Sequence, residues 1–182
     1  MLYMHSLTEA QLYLRITGCE KCSPISTIPQ EPKSHIEKPG RVNVVRVHGQ
    51  CAACGAPQEL DFAIEHEVPA PTHCRPPAIN PTEKRSQIID VGQWLTLSQI
   101  FIQESRTELN RERARILNLQ SAQCLDEALK FYDDPENDLP PVDAFYCGSS
   151  RRRFRESPQQ FSRGRLINEK RKLPVNFNDS SS

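Results

Sequence analysis

Glycine is scarce in this sequence, with seven residues in 182 against fifteen prolines. Prolines in such excess break regular structure and point to long irregular connections. No phosphate-cradling loop, nucleophile elbow or paired-carboxylate motif occurs. No run of about 18 apolar residues is present, which excludes a spanning helix read from hydropathy. Net charge is also lacking: 23 basic and 23 acidic side chains cancel, so overall charge argues for neither nucleic acid nor membrane. The opening Met1-Leu2-Tyr3-Met4-His5 has neither a basic start nor a long apolar core, so the expectation is no signal peptide and a cytoplasmic protein. Apolar residues make up only 37%, yet they cluster enough to build cores.

Cysteine is what stands out. Cys19-Glu20-Lys21-Cys22 and Cys51-Ala52-Ala53-Cys54 are two Cys-x-x-Cys pairs separated by 28 residues. A two-residue turn points both sulfurs of a pair into one concavity, where backbone N–H groups can donate to them. Four thiolates so presented suit one tetrahedral, structural zinc held by Cys19, Cys22, Cys51 and Cys54. Gly55 fits the second turn, because the residue after it often needs positive φ; the first turn carries Ser23 there. The competing reading is four unligated thiols or a disulfide. Of the remaining cysteines, Cys124 falls on the apolar side of a predicted helix and reads as buried, while Cys74 and Cys147 have no evident partner. Unpaired thiols beside a thiolate site point to a reducing compartment. His73-Cys74 lacks the further ligands a metal needs, and His5, His35, His48 and His66 are scattered.

The fold class expected is α+β, a zinc-ribbon β module followed by a mainly helical module. The boundaries read as residues 1–68 for the ribbon, 69–86 for a proline-rich linker, 87–173 for the helical module and 174–182 for a polar tail. Ser6-Leu7-Thr8-Glu9 resembles a capping box opening a short helix, and Leu12, Leu14 and Ile16 then alternate like a strand. Arg41 to His48, rich in valine, and Leu60 to Ile64 read as the two strands flanking the second cysteine turn. Asp90 with Gln93 opens a helix bearing Trp94, Leu95, Leu97 and Phe101, and Trp94 reads as core. A longer helix runs from about Glu108 to Tyr132. A third, Val142 to Glu156, is expected to bury Val142, Phe145, Tyr146 and Phe154, and a fourth has Ser162 as N-cap. The acidic stretch after Asp133 lacks the ligand pattern of a calcium loop.

Residues 1–150 carry 14 basic and 20 acidic groups, whereas residues 151–182 carry 9 and 3. The basic segment comprises Arg151, Arg152, Arg153, Arg155, Arg163, Arg165, Lys170, Arg171 and Lys172, with Phe154 and Phe161 interleaved. Arginines on phosphates and phenylalanines on bases would make a nucleic-acid contact. The register of Phe154 with Phe145 argues instead that the aromatics pack inward, leaving the arginines to water or a protein partner.

The cysteine turns, Val47-His48-Gly49-Gln50-Cys51, Ile88-Ile89-Asp90-Val91-Gly92-Gln93-Trp94-Leu95 and the stretch from Phe154 to Leu166 together resemble uncharacterised bacterial proteins with a double Cys-x-x-Cys-Gly motif. Ser23 departs from the double-glycine pattern. Some relatives with that motif have been proposed as immunity partners of toxins, so the resemblance implies a zinc-ribbon protein that binds another protein. Enzyme chemistry is not expected: thioredoxin-type work needs a βαβ setting, and four cysteines close a zinc that catalysis would need open. The expectation is therefore a non-catalytic, zinc-stabilised interaction module, with nucleic-acid binding through residues 151–172 as the alternative.

Overall fold

A computed structural model of the chain describes residues 2–22, 27–29, 43–64, 78–134 and 136–174. His35, His66, His73, Cys74 and the expected boundary near residue 68 lie outside the described residues. The fold is mixed α+β. A four-stranded sheet has the order β1-β4-β3-β2, built from β1 (Leu2–Met4), β2 (Thr27–Pro29), β3 (Asn43–Cys51) and β4 (Pro57–Ile64). β3 and β4 form the antiparallel hairpin, registered from Asn43 opposite Ile64 to Gln50 opposite Pro57. β1 adds parallel to β4, and β2 antiparallel to β3.

Helix α1 (Leu7–Thr17) is capped by Ser6, whose side chain accepts from the Glu9 N–H. It corrects the strand expected at Leu12–Ile16. Leu12, Leu14 and Ile16 are all buried, because α1 lies between the sheet and the helices and is covered on more than one side. A helix enclosed in this way shows no single apolar stripe, and its sequence mimics alternation.

Helix α2 (Val91–Thr107) begins with the complete Asp90–Gln93 capping box, and α3 (Arg111–Leu129) is capped by Asn110. The two pack as an antiparallel pair, with Ser98 and Ser121 hydroxyls 2.8 Å apart between them. Trp94 is fully buried, as are Cys124, Phe131 and Phe161. One apolar cluster runs from Met4 and Val45 in the sheet through Trp94 to Leu166. Residues 78–90 belong to it through Ile79, Ile88 and Ile89.

The helix expected from Val142 to Glu156 is broken. Val142–Ala144 is a single 3-10 turn, and α4 spans only Gly148–Glu156. The cause is Asp90, whose Oδ2 accepts the backbone N–H groups of Tyr146 and Cys147 at 2.9 and 3.0 Å. Those N–H groups cannot then serve a continuous helix, and α4 restarts behind them. Val142 is consequently 75% exposed rather than buried, and Tyr146 is half-exposed with its hydroxyl donating to the Ser86 carbonyl. A turn at Pro158–Phe161 leads to α5 (Arg163–Arg171), capped by Ser162. The Tyr132 hydroxyl donates to the Phe161 carbonyl and Lys170 meets Asp126 at 2.5 Å, fixing this end of the chain to α3 and the turn after it. Among the described residues no helix is long and apolar enough to cross a membrane.

Candidate metal centre

Two turns on different elements bring the four sulfurs together. The first follows α1, which Gly18 ends at φ 82°. The second joins β3 to β4: Gly55 donates to the Cys51 carbonyl and Cys51 to that of Ala56, both at 2.9 Å. Gly55 has φ 68°, the left-handed region that only glycine takes at little cost. The Gln58 side-chain amide, on β4, donates to the Gly18 carbonyl at 3.0 Å and ties the two turns to each other.

Sγ separations are 3.4 Å for Cys22–Cys51 and Cys22–Cys54 and 3.7 Å for Cys19–Cys54. All four sulfurs lie within 4.8 Å of one another. Tetrahedral ligands with metal–sulfur bonds of about 2.3 Å sit about 3.8 Å apart, so the group fits a single four-coordinate ion. Cys19 and Cys51 are buried with Ala56, whereas Cys22 and Cys54 face solvent.

The electrostatics favour the same conclusion. The Cys54 and Ala53 backbone N–H groups bring the Cys51 thiol down to about 6, and those of Lys21 and Cys22 lower that of Cys19. The Cys22 thiol is pushed up, chiefly by the adjacent Cys54 sulfur. N–H groups thus prepare two thiolates, and mutual repulsion resists four. A bound cation removes that repulsion, which is how metal binding and thiol ionisation become linked. Four cysteines close together could therefore hold a metal ion.

The basic segment is not gathered into one face with exposed aromatics. Phe154 stacks on Phe145 with centroids 4.5 Å apart, and both meet the fully buried Phe161 edge-on. Arg153 lies over the Phe161 ring at 5.6 Å and donates to Gln160 and Thr96. Arg151 donates to the Phe145 carbonyl, and Arg165 pairs with Glu169. Arg152 and Arg155 are exposed on α4, and Arg163 stands half-buried at the start of α5. Asp143, in the acidic stretch, pairs with Arg85 rather than with any of these arginines.

Four residues have roles that no local pattern encodes. Gln58 reaches Gly18 across 40 residues, and Asp90 reaches Ser150 across 60. Glu9 and Glu127 are buried although each sits in a helix with ordinary surface charges. His5 donates its backbone N–H to Glu9, and His48 lies 3.6 Å from Glu59 on the strand surface; neither belongs to the four-sulfur group. Comparison with protein-family models, curated proteins and solved structures finds no match to this chain.

Proposed function

We propose that the chain is a non-catalytic protein-interaction module, immunity- or adaptor-like, whose N-terminal part is a zinc ribbon held by one structural zinc. Cys19, Cys22, Cys51 and Cys54 are its ligands, and an all-thiolate tetrahedron leaves no position for substrate. Intact thiols of this kind suit a reducing cytoplasm. The observation that carries the interaction reading is the inward stacking of Phe154 on Phe145 and Phe161. It removes the aromatic platform on which single-stranded bases would stack. What remains outward is cationic: Arg151, Arg152 and Arg155 on α4, a surface complementary to an acidic face on a protein partner.

The test has two arms. Protein prepared under reducing, chelator-free conditions is analysed for metal, with one zinc per chain expected and none in Cys51→Ser. Metal-free wild-type protein, or iron in its place, overturns the zinc assignment. Salt-titrated anisotropy with single-stranded and duplex probes addresses the partner. Binding that vanishes near physiological salt is expected for a few diffuse phosphate contacts. Submicromolar affinity at about 150 mM salt, lost in Arg152→Ala/Arg155→Ala, would establish the nucleic-acid reading instead.

A further inference from the structure

Two buried carboxylates from different helices grip residues 78–90, and among the described residues Lys130 is the one ammonium paired with either of them. Glu9 of α1 is fully buried and Glu127 of α3 is 4% exposed. Glu127 Oε2 accepts from the Asn80 side-chain amide at 3.1 Å, and its Oε1 accepts from Lys130 at 2.7 Å. Lys130 also donates to the Thr82 carbonyl at 2.6 Å and reaches that of Asn80 at 3.4 Å. On the α1 side, the Ser6 hydroxyl donates to the Ile79 carbonyl, and Glu9 is hydrogen-bonded by the Ser86 side chain. The His5 N–H donates to Glu9 Oε2 at 2.5 Å, while the His5 ring meets the Arg85 carbonyl. Every one of these bonds holds either the segment or a group that holds it.

We propose that Glu9, Glu127 and Lys130 form a proton-operated clamp on residues 78–90, closed while one carboxylate keeps its proton and loosened above neutral pH.

The charge count supports this. With one carboxyl neutral, the other balances Lys130 and the cluster carries no net charge. With both ionised, a net negative charge sits among apolar side chains, which is costly without a second cation. Glu9 Oε1 is buried with no hydrogen-bond partner among the described residues, an arrangement that a neutral carboxyl tolerates better than a carboxylate. The groups facing Glu9 are His5, Ser86 and Lys130, and those facing Glu127 are Lys130, Asn80, Glu9 and the buried Cys124 thiol. Burial pushes Glu127 up to about 7 against the pull of Lys130, with Glu9 adding to the rise, and burial raises Glu9 as well.

The sign follows. A folded-state value above the unfolded one means that the contribution to stability is complete below about pH 4.5 and is lost as pH rises through about 7. Loosening has a structural consequence. Glu83 to Gln87 form one wall of a cavity of about 690 Å³, which Lys130, Asp133 and Tyr146 complete, so the clamp sets the shape of that cavity.

Amide hydrogen exchange of the full chain at pH 5.5 and 8.5, corrected for intrinsic rates, tests the clamp. Protection of the amides from Ile79 to Ile89 is expected to fall tenfold or more, while that of β3 and β4 holds. In Glu127→Gln, a neutral isostere that still accepts from Lys130, the segment's protection should not change between the two pH values. Unchanged wild-type protection, or an equal fall in Glu127→Gln, overturns the clamp. Should the variant fail to fold, carboxyl carbon NMR of the wild-type chain decides: a glutamate titrating near pH 7 is expected, and none above about pH 5.5 refutes it.

Discussion

Gly92 and Ser150 approach so closely that a Cβ at position 92 would lie 2.5 Å from the Ser150 Oγ and 3.2 Å from its Cα. The same serine hydroxyl donates to Asp90 Oδ1 at 2.7 Å, so the contact and the cap are one joint between α2 and α4. In an exposed helix, glycine to alanine gains up to about 1 kcal/mol. Here the sign reverses, because backbone as well as side chain must move. Gly92→Ala is expected to destabilise by about 1–3 kcal/mol in urea unfolding. In a Ser150→Gly background the same substitution should cost at least about 1 kcal/mol less, and equal costs in both backgrounds would show that the contact is not the cause.

The joint also marks where sequence reading stops. The Asp90–Gln93 box is written within four residues, and periodicity alone finds the helix behind it. The second carboxylate oxygen of Asp90 is committed 56 and 57 residues away, and no local pattern encodes that. The four cysteines were legible for the same reason as the cap: each pair is a local turn whose spacing carries its own geometry. β1 was invisible, since three residues pairing parallel to β4 have no periodicity to read. Leu12, Leu14 and Ile16 misled because burial on several sides erased the stripe that distinguishes helix from strand.

Gln58 gives a test of the candidate metal centre that leaves all four cysteines in place. Its amide holds the Gly18 carbonyl, and hence the first cysteine turn, against the hairpin that carries the second. Gln58→Ala removes that link without touching a sulfur. Metal affinity should drop roughly tenfold to a hundredfold, the usual effect of losing an outer contact that orients ligands. Competition with a chromophoric chelator measures this. An affinity equal to wild type would mean that the turns hold their spacing without Gln58.

Acid should loosen α5 first. Asp138 accepts from the Ser162 hydroxyl and from the Gly164 N–H, and its carboxyl is held below the ordinary range chiefly by that serine. A depressed folded-state value contributes stability above the unfolded one, and the contribution is lost as pH falls through the folded value. Exchange of α5 amides should therefore accelerate below about pH 4. In Asp138→Ala those amides should be less protected at neutral pH and show no further acid-induced loss, and a variant that kept the acid response would place its source elsewhere.

Arg153 and Arg152 are neighbours in sequence with opposite tasks, and exchanging each for alanine should separate them. Arg152 is exposed on α4, where surface substitutions usually change stability by less than about 0.5 kcal/mol. Arg153 is half-buried: its guanidinium covers the Phe161 ring and donates to Gln160 Oε1 at 3.0 Å and Thr96 Oγ1 at 3.2 Å. A cation over an aromatic face contributes roughly 0.5–2 kcal/mol, and each hydrogen bond about 1 kcal/mol net. Arg153→Ala is thus expected to cost about 2.5–4 kcal/mol in denaturant unfolding, with the larger part of the loss where α4 meets the Pro158–Phe161 turn. Arg153→Lys should recover only a fraction, because an ammonium cannot reproduce the flat fork that meets ring, amide and hydroxyl together. Equal, small costs for Arg152→Ala and Arg153→Ala would mean that both arginines belong to the solvent-facing surface, and that the aromatic cluster closes without a cation above it.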